Sequence, residues 1–215
     1  MGGDTLALGE FATVRKNWRV CDLGTGSGAL LLLLNRRESS LSLTGIELDE
    51  RSVSTAEANL AENGLDGDIL HTDLRAAPLP AGQFDLVISN PPYFVSSLRS
   101  PDAARSIARH TDTLSFDDLT RGVCRLLSPE GHFALILPPP EMERFRSAAR
   151  GKLFIKRCCE VWSTPTSGAK RIMAEFSSDP TTSNVATEKL IIEDSGPQCY
   201  SEEYRSLTRD FYLKF

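Results

Sequence analysis

Long apolar runs are missing from this chain. The longest, Ala29 to Leu34, is far too short for the roughly 20 apolar residues that a membrane helix needs. No signal-peptide pattern opens the chain either, so a cytoplasmic protein with no membrane partner is expected. Cysteine is scarce and unpatterned. Cys21, Cys124, Cys158, Cys159 and Cys199 contain no C-x-x-C pair, and their scatter reads as buried thiols in a reducing compartment, not a disulfide framework. The three histidines, His71, His110 and His132, are equally scattered, so no metal is expected. A positive balance is lacking as well. The net charge of −5 weighs against a nucleic-acid partner unless the charge is unevenly distributed. No internal repeat is visible. What remains is ordinary, and 215 residues provide one large domain with a sizeable core.

The chain is organised as alternating strand and helix signals. After a short helical pattern over Leu6–Ala12, Trp18–Leu23 reads as a strand, Gly24-Thr25-Gly26-Ser27-Gly28 as a tight loop, and Ala29–Arg37 as a helix. Glycines there let the backbone turn sharply and let a ligand approach with no Cβ in the way. The helix start adds free N–H groups and a positive dipole end. A second strand ends at Glu47, whose carboxylate suits a pair of ribose hydroxyls. The amphipathic helix Asp49–Asn63 follows, with Val53, Ala56, Leu60 and Ala61 at helical spacing. A third strand ends in the acid Asp73. The structured pattern begins so close to Met1 that a trimmed N-terminus is expected.

Phe84–Ile88 is a short apolar strand stopped by Ser89-Asn90-Pro91-Pro92-Tyr93. Two prolines fix two φ angles and remove two donors, and Pro91 holds Asn90 out of the helical region. The result is a stiff turn whose amide and carbonyl oxygens can accept the protons of a planar amino group, with Tyr93 placed to stack on the attached ring. Strands one to four, separated by helices or crossovers, predict a parallel doubly wound sheet. Such sheets bind ligands at the C-terminal ends of their strands, where Asp22, Gly24, Gly26, Glu47, Asp73 and Asn90 all fall.

Downstream, Leu114–Leu127 reads as an amphipathic helix capped by Ser115 and closed by Ser128-Pro129-Glu130-Gly131, followed by the strand His132–Leu137. Glu141–Arg150 is a helix. Leu153–Val161 and Arg171–Phe176 form a hairpin, which places adjacent Cys158 and Cys159 on opposite faces. Lys189–Ile192 is a further short strand, and Tyr200–Phe215 an aromatic helix or arm. Between Glu141 and Phe176 eight Lys/Arg stand against four Asp/Glu, whereas from Asp179 to Phe215 four stand against seven. The body is thus more basic than the total charge implies. Arg99, Arg105, Arg109 and His110, just after the proline turn, make a locally basic segment able to hold a phosphate backbone.

The glycine loop also fits a relaxed dinucleotide pattern, Gly24-x-Gly26-x-x-Ala29, so NAD competes with S-adenosylmethionine (SAM). Asp22, in the form Asp-Leu-Gly-Thr-Gly-Ser-Gly, resembles SAM-binding motif I, and its charge suits the cationic methionine end. Asn90-Pro91-Pro92-Tyr93 resembles the catalytic motif of SAM-dependent methyltransferases that act on exocyclic or amide nitrogens. By position, Asp73 resembles the residue that binds the adenine amino group. Gly28 and Thr25 in the loop, and Leu48 and Leu74 beside the two acids, complete the candidate cofactor residues.

Beyond these motifs, Ser97–Asp102 with Ala108-Arg109-His110, Leu126–Gly131, Ile136-Leu137-Pro138 and Tyr200–Leu213 resemble the bacterial tRNA1(Val) adenine-N6-methyltransferase family. Gly3-Asp4-Thr5-Leu6 is similar to that family's N-terminal Gly-Thr-Asp signature, with Gly where Thr would stand. The resemblance implies an α/β, Rossmann-like class I methyltransferase. Its seven-stranded, mostly parallel sheet would carry helices on both faces and an antiparallel C-terminal hairpin. Residues 1–178 would form the methyltransferase domain, and residues 179–215 a strand and aromatic arm packed on it. It further implies N6-methylation of the adenosine immediately 3′ of the anticodon in a valine tRNA. A protein glutamine-amide methyltransferase and a non-catalytic SAM-binding module are the alternatives.

Overall fold

The computed structural model describes residues 2–91, 114–181, 185–196 and 199–208. Apolar alternation along the central strands sets the architecture. On β1 (Arg19–Leu23), Val20 and Cys21 enter the two different cores; on β4 (Phe84–Ser89) Leu86 and Val87 do the same, and on β5 (Leu127–Leu137) Ala134 and Leu135. Strands apolar on both faces need cover on both. Leu119 and Val123 of α4 (Phe116–Leu126) and Phe145 of α5 (Pro139–Ala148) cover one side. The other is covered by Leu8 of α1 (Gly3–Phe11), Leu31 and Leu34 of α2 (Ala29–Arg37), Leu60 of α3 (Glu50–Glu62) and Tyr204 of α6 (Glu202–Thr208).

The remaining strands are β2 (Ser42–Glu47), β3 (Gly67–His71), β6 (Phe154–Trp162), β7 (Ala169–Ser177) and β8 (Thr187–Ile191). The sheet order is β3-β2-β1-β4-β5-β7-β6-β8. Only β7 runs antiparallel to its neighbours, between β5 and β6. The expected hairpin is thus β6–β7, and Cys158 and Cys159 enter opposite cores as its pleat requires.

Three expectations need correction. The sheet has eight strands, not seven, because β8 pairs in parallel with β6 from Cys158↔Thr187 to Trp162↔Ile191. Without it, the outer edge of β6 would present unpaired backbone groups. Ser128–Gly131, expected to close a helix, belongs to β5, which begins directly after α4. Gly131 makes this approach possible: a Cβ there would lie 2.8 Å from the Phe84 carbonyl oxygen of β4. Among the cysteines, Cys124 and Cys199 are exposed rather than buried. Smaller differences have simple causes. Helix α5 starts at Pro139, since a first-turn residue needs no donor, and Ala61 of α3 faces solvent. No helix among the described residues is long and apolar enough to cross a membrane.

Candidate cofactor and acceptor site

The C-terminal ends of β1, β2 and β4 lie side by side, with Asp22 in register with Gly45 of β2 and Ile88 of β4. Beyond β1 the chain makes three left-handed turns, at Gly24 (φ 73°), Gly26 (φ 55°) and Gly28 (φ 77°). A Cβ built on Gly24 or Gly26 would meet nothing within 4 Å, so the loop borders open space. The loop is nonetheless fastened beneath. Gly24 and Thr25 N–H groups donate to the Ile46 carbonyl at 2.8 and 3.1 Å. Gly26 N–H donates to Glu47 Oε2 at 2.9 Å, while the N–H groups of Leu48 and Asp49 donate to Oε1 at 2.8 and 3.0 Å. One carboxylate thereby ties the loop to the entry of α3. Gly45 keeps β2 low enough for Thr25 to settle, since a Cβ there would lie 2.8 Å from Thr25 Cγ2.

Thr25 in turn donates its hydroxyl to Asp22 Oδ2 at 2.8 Å. Asp22 is 1% exposed, and its Oδ1 has no hydrogen-bond partner among the described residues. Burial pushes this carboxyl up to about 7, against the Thr25 bond, with the Glu47 charge adding to the rise. A buried acid with an unsatisfied oxygen is costly unless something compensates it. A cation delivered over the loop is one such compensation.

Asp73 caps the short turn Leu74–Ala76, accepting from Arg75 N–H at 2.8 Å and from Arg75 Nε at 2.9 Å. The Arg75 guanidinium holds the Asp73 carboxyl below its ordinary range. Leu74 turns inward: its side chain packs in the core, where a Cβ on Gly122 of α4 would meet it at 2.7 Å. Leu48 does the opposite. At 57% it is the exposed large apolar residue of the described chain, on the rim beside Glu47.

The acceptor turn leaves β4 next to this loop. Ser89, at the strand end, donates its hydroxyl to the Leu23 carbonyl at 2.7 Å, which holds Asn90 beside Leu23–Gly24. Pro91 is buried and Asn90 half-buried. Asn90 Nδ2 donates to Thr5 Oγ1 of α1 at 3.0 Å, leaving its Oδ1 without a partner among the described residues. The fold therefore brings together Asp22, Gly24, Thr25, Gly26, Gly28, Glu47, Leu48, Asn90 and Pro91 around one rim. Pro92, Tyr93, Arg99, Arg105, Arg109 and His110 lie outside the described residues. The sequence reading names Thr5 only within the N-terminal signature, with no link to Asn90, and does not single out Arg125. Thr5 stands too far from Asn90 in the chain for spacing to link them. Arg125 of α4 donates to the carbonyls of Leu79 and Ala77 at 2.7 and 3.2 Å, pinning the loop after Asp73, and nothing in the sequence distinguished it from a solvated arginine.

A mostly parallel sheet ending in a glycine loop, an acid-tipped second strand and an Asn-Pro turn defines a Rossmann-like methyltransferase. Residues 3–115 match the methyltransferase small domain family. Over 218 aligned residues the chain is 36% identical to the tRNA1(Val) (adenine(37)-N6)-methyltransferase of Parabacteroides distasonis, covering 100% of this chain and 91% of that protein. The protein of the same name from Photobacterium profundum is also 36% identical, over 98% of this chain and 90% of its own. Among solved structures, a predicted O-methyltransferase from Agrobacterium tumefaciens superposes with a TM-score of 0.78 at 19% identity, covering 96% of this chain and 95% of that one. TrmN from Thermus thermophilus gives 0.60 at 22%, over 81% of this chain and 48% of its own, and both show the fold. The chain belongs to the methyltransferase small domain family and, within it, to the group of the tRNA1(Val) (adenine(37)-N6)-methyltransferases.

Proposed function

We propose that this protein methylates N6 of the adenosine immediately 3′ of the anticodon in a valine tRNA, using SAM as methyl donor. The observation that carries the chemistry is Asn90: its amide oxygen has no partner among the described residues, at the C-terminal end of a strand that adjoins the glycine loop. The full-length likeness to relatives bearing that tRNA activity in their names supports the substrate.

The residues present fit SAM. Asp22 Oδ1, buried and without a partner among the described residues, complements a cationic methionine end, and the open space over Gly24 and Gly26 admits a ligand against the backbone. Glu47 accepts ribose hydroxyls, Leu48 offers an apolar face to the adenine, and Asp73 reaches its amino group in exchange for part of its Arg75 pairing. Bound there, SAM supplies an electrophilic methyl group on a sulfonium.

The chain's own work is done on the acceptor. An exocyclic amine is a poor nucleophile because its lone pair is conjugated into the purine. Asn90 Oδ1 and the Pro91 carbonyl accept its two N–H protons and so turn the lone pair out of the ring plane. Positioning supplies most of the acceleration, and no strong base is needed beforehand. Tyr93 stacks on the base, which is cheaper to extrude from an anticodon loop than from a duplex. Arg99, Arg105, Arg109 and His110 hold the RNA backbone near the turn.

Transfer of labelled methyl from SAM to bulk bacterial tRNA, followed by nucleoside analysis, tests this reading. N6-methyladenosine in a valine isoacceptor is the expected product. Label on a protein glutamine instead would overturn the substrate while keeping the Asn90 chemistry.

A further inference from the structure

Thr5 sits in the first turn of α1, 85 residues from Asn90 in the chain, yet its Oγ1 lies 3.0 Å from the Asn90 amide nitrogen. We infer that Thr5 is a positioning residue: by accepting from Nδ2 it anchors the Asn90 side-chain amide, with Oδ1 left for the acceptor amine. The inference rests on the amine-activating role proposed for Asn90.

An asparagine amide presents a donor on one side and an acceptor on the other, and its two orientations are nearly equal in shape. Only one serves here. With the oxygen outward the amide accepts an amine proton; turned over, it presents N–H to N–H and repels the substrate. A threonine hydroxyl can accept from Nδ2 or donate to Oδ1, so Thr5 holds the amide in place while the amine's own N–H groups call for the oxygen outward; in the structure Thr5 accepts from Nδ2, and Oδ1 keeps no partner among the described residues.

For this contact to anchor the amide, Thr5 itself must be held. Asp4, the residue before it, accepts from Arg171 Nε of β7 at 2.7 Å. The body of α1 is buried through Leu6, Leu8 and Phe11. Gly9 lies close enough to α2 that a Cβ there would come within 3.1 Å of Leu33. Beyond the helix, Glu175 of β7 receives the Thr13 N–H at 2.6 Å and its hydroxyl at 2.9 Å. The helix is thus tied to β7 at both ends, and Thr5 reaches Asn90 from a fixed platform.

Thr5→Val removes the hydroxyl at constant shape, and Thr5→Ser restores it. With tRNA as acceptor, kcat is expected to fall about tenfold in Thr5→Val, roughly the worth of one hydrogen bond, with SAM affinity within twofold and recovery in Thr5→Ser. The second readout needs no turnover. The Asn90 side-chain amide pair in a 15N-correlated proton spectrum, assigned by its loss in Asn90→Asp, is expected to shift and exchange faster in Thr5→Val and to return in Thr5→Ser. An Asn90 pair unchanged in Thr5→Val overturns the positioning role whatever the substrate proves to be. Loss of SAM binding in step with kcat, unrescued by serine, overturns it too, because the residue would then merely stabilise α1. A wild-type chain inactive on tRNA overturns only the substrate reading, since the amide spectrum still decides the contact.

Discussion

Gly26 N–H and Glu47 Oε2 lie 2.9 Å apart, across the ends of β1 and β2. The bond joins the loop that borders the open cradle to the acid at the tip of the second strand. Because the same carboxylate also receives the N–H groups of Leu48 and Asp49, it sets the shape of the rim before any ligand arrives.

Glu47→Ala leaves those three N–H groups without their acceptor. Bonds to a charged group are worth about 1.5–3 kcal/mol, so SAM affinity should weaken by at least about tenfold, with the maximal rate less affected. Calorimetric titration with SAM checks this, and an unchanged Kd would remove Glu47 from the cofactor site.

Asn90→Ala should have the reverse profile. Losing a preorganised acceptor at the reacting nitrogen is expected to lower kcat by about 100-fold or more, while SAM binding stays near wild type. Single-turnover methylation alongside SAM titration separates the two; a rate loss matched by an equal affinity loss would contradict the assigned role.

Asp22 makes stability and binding depend on pH in opposite directions. Its folded value of about 7 lies above the ordinary 3.8, because of burial first and the Glu47 charge last. The folded state therefore holds the proton more tightly than the unfolded chain. The resulting stabilisation is complete below about pH 4 and is lost as pH rises through about 7. Thermal melts of the ligand-free protein between pH 5 and 8.5, wild type minus Asp22→Asn, should show a falling difference on the order of a few kcal/mol. SAM affinity of the wild type should rise over the same window, since ionised Asp22 is the form that meets a cation. A flat difference in the melts would show that Asp22 is ionised throughout.

Arg157 joins three elements that are distant in sequence. It pairs with Glu188 of β8 through Nε at 2.7 Å and its terminal nitrogen at 2.9 Å, donates to the Phe11 carbonyl of α1 at 2.9 Å, and lies 4.4 Å over the Phe11 ring. The half-exposed ion pair alone is worth about 1 kcal/mol or less. Arg157→Ala should therefore destabilise by about 1–3 kcal/mol, clearly more than Glu188→Ala. Denaturant titration of both variants decides it, and equal losses would assign the whole effect to the ion pair.

Local chemistry wrote most of this fold into the chain. Glycines at 24, 26 and 28 announced the left-handed loop, short apolar runs such as Phe84–Ile88 the buried strands, and the two prolines after Asn90 an abrupt strand end, because each acts within a few residues. Lys189–Ile192 was legible as a strand, but its place in the sheet depended on an edge of β6 in need of a partner, and the passage of Ser128–Gly131 into β5 depended on how closely Gly131 could approach Phe84; neither is visible to a short window. Asp22, Glu47 and Asn90 could be singled out by type and place. Their states could not. The raised carboxyl of Asp22 comes from burial, the engagement of Glu47 from loop N–H groups turned toward it, and the anchoring of the Asn90 amide from a threonine 85 residues away in the chain. Chain order determined which groups the site would contain, and tertiary packing decided how each is solvated, charged and aimed, because those properties belong to neighbours that the sequence keeps far apart.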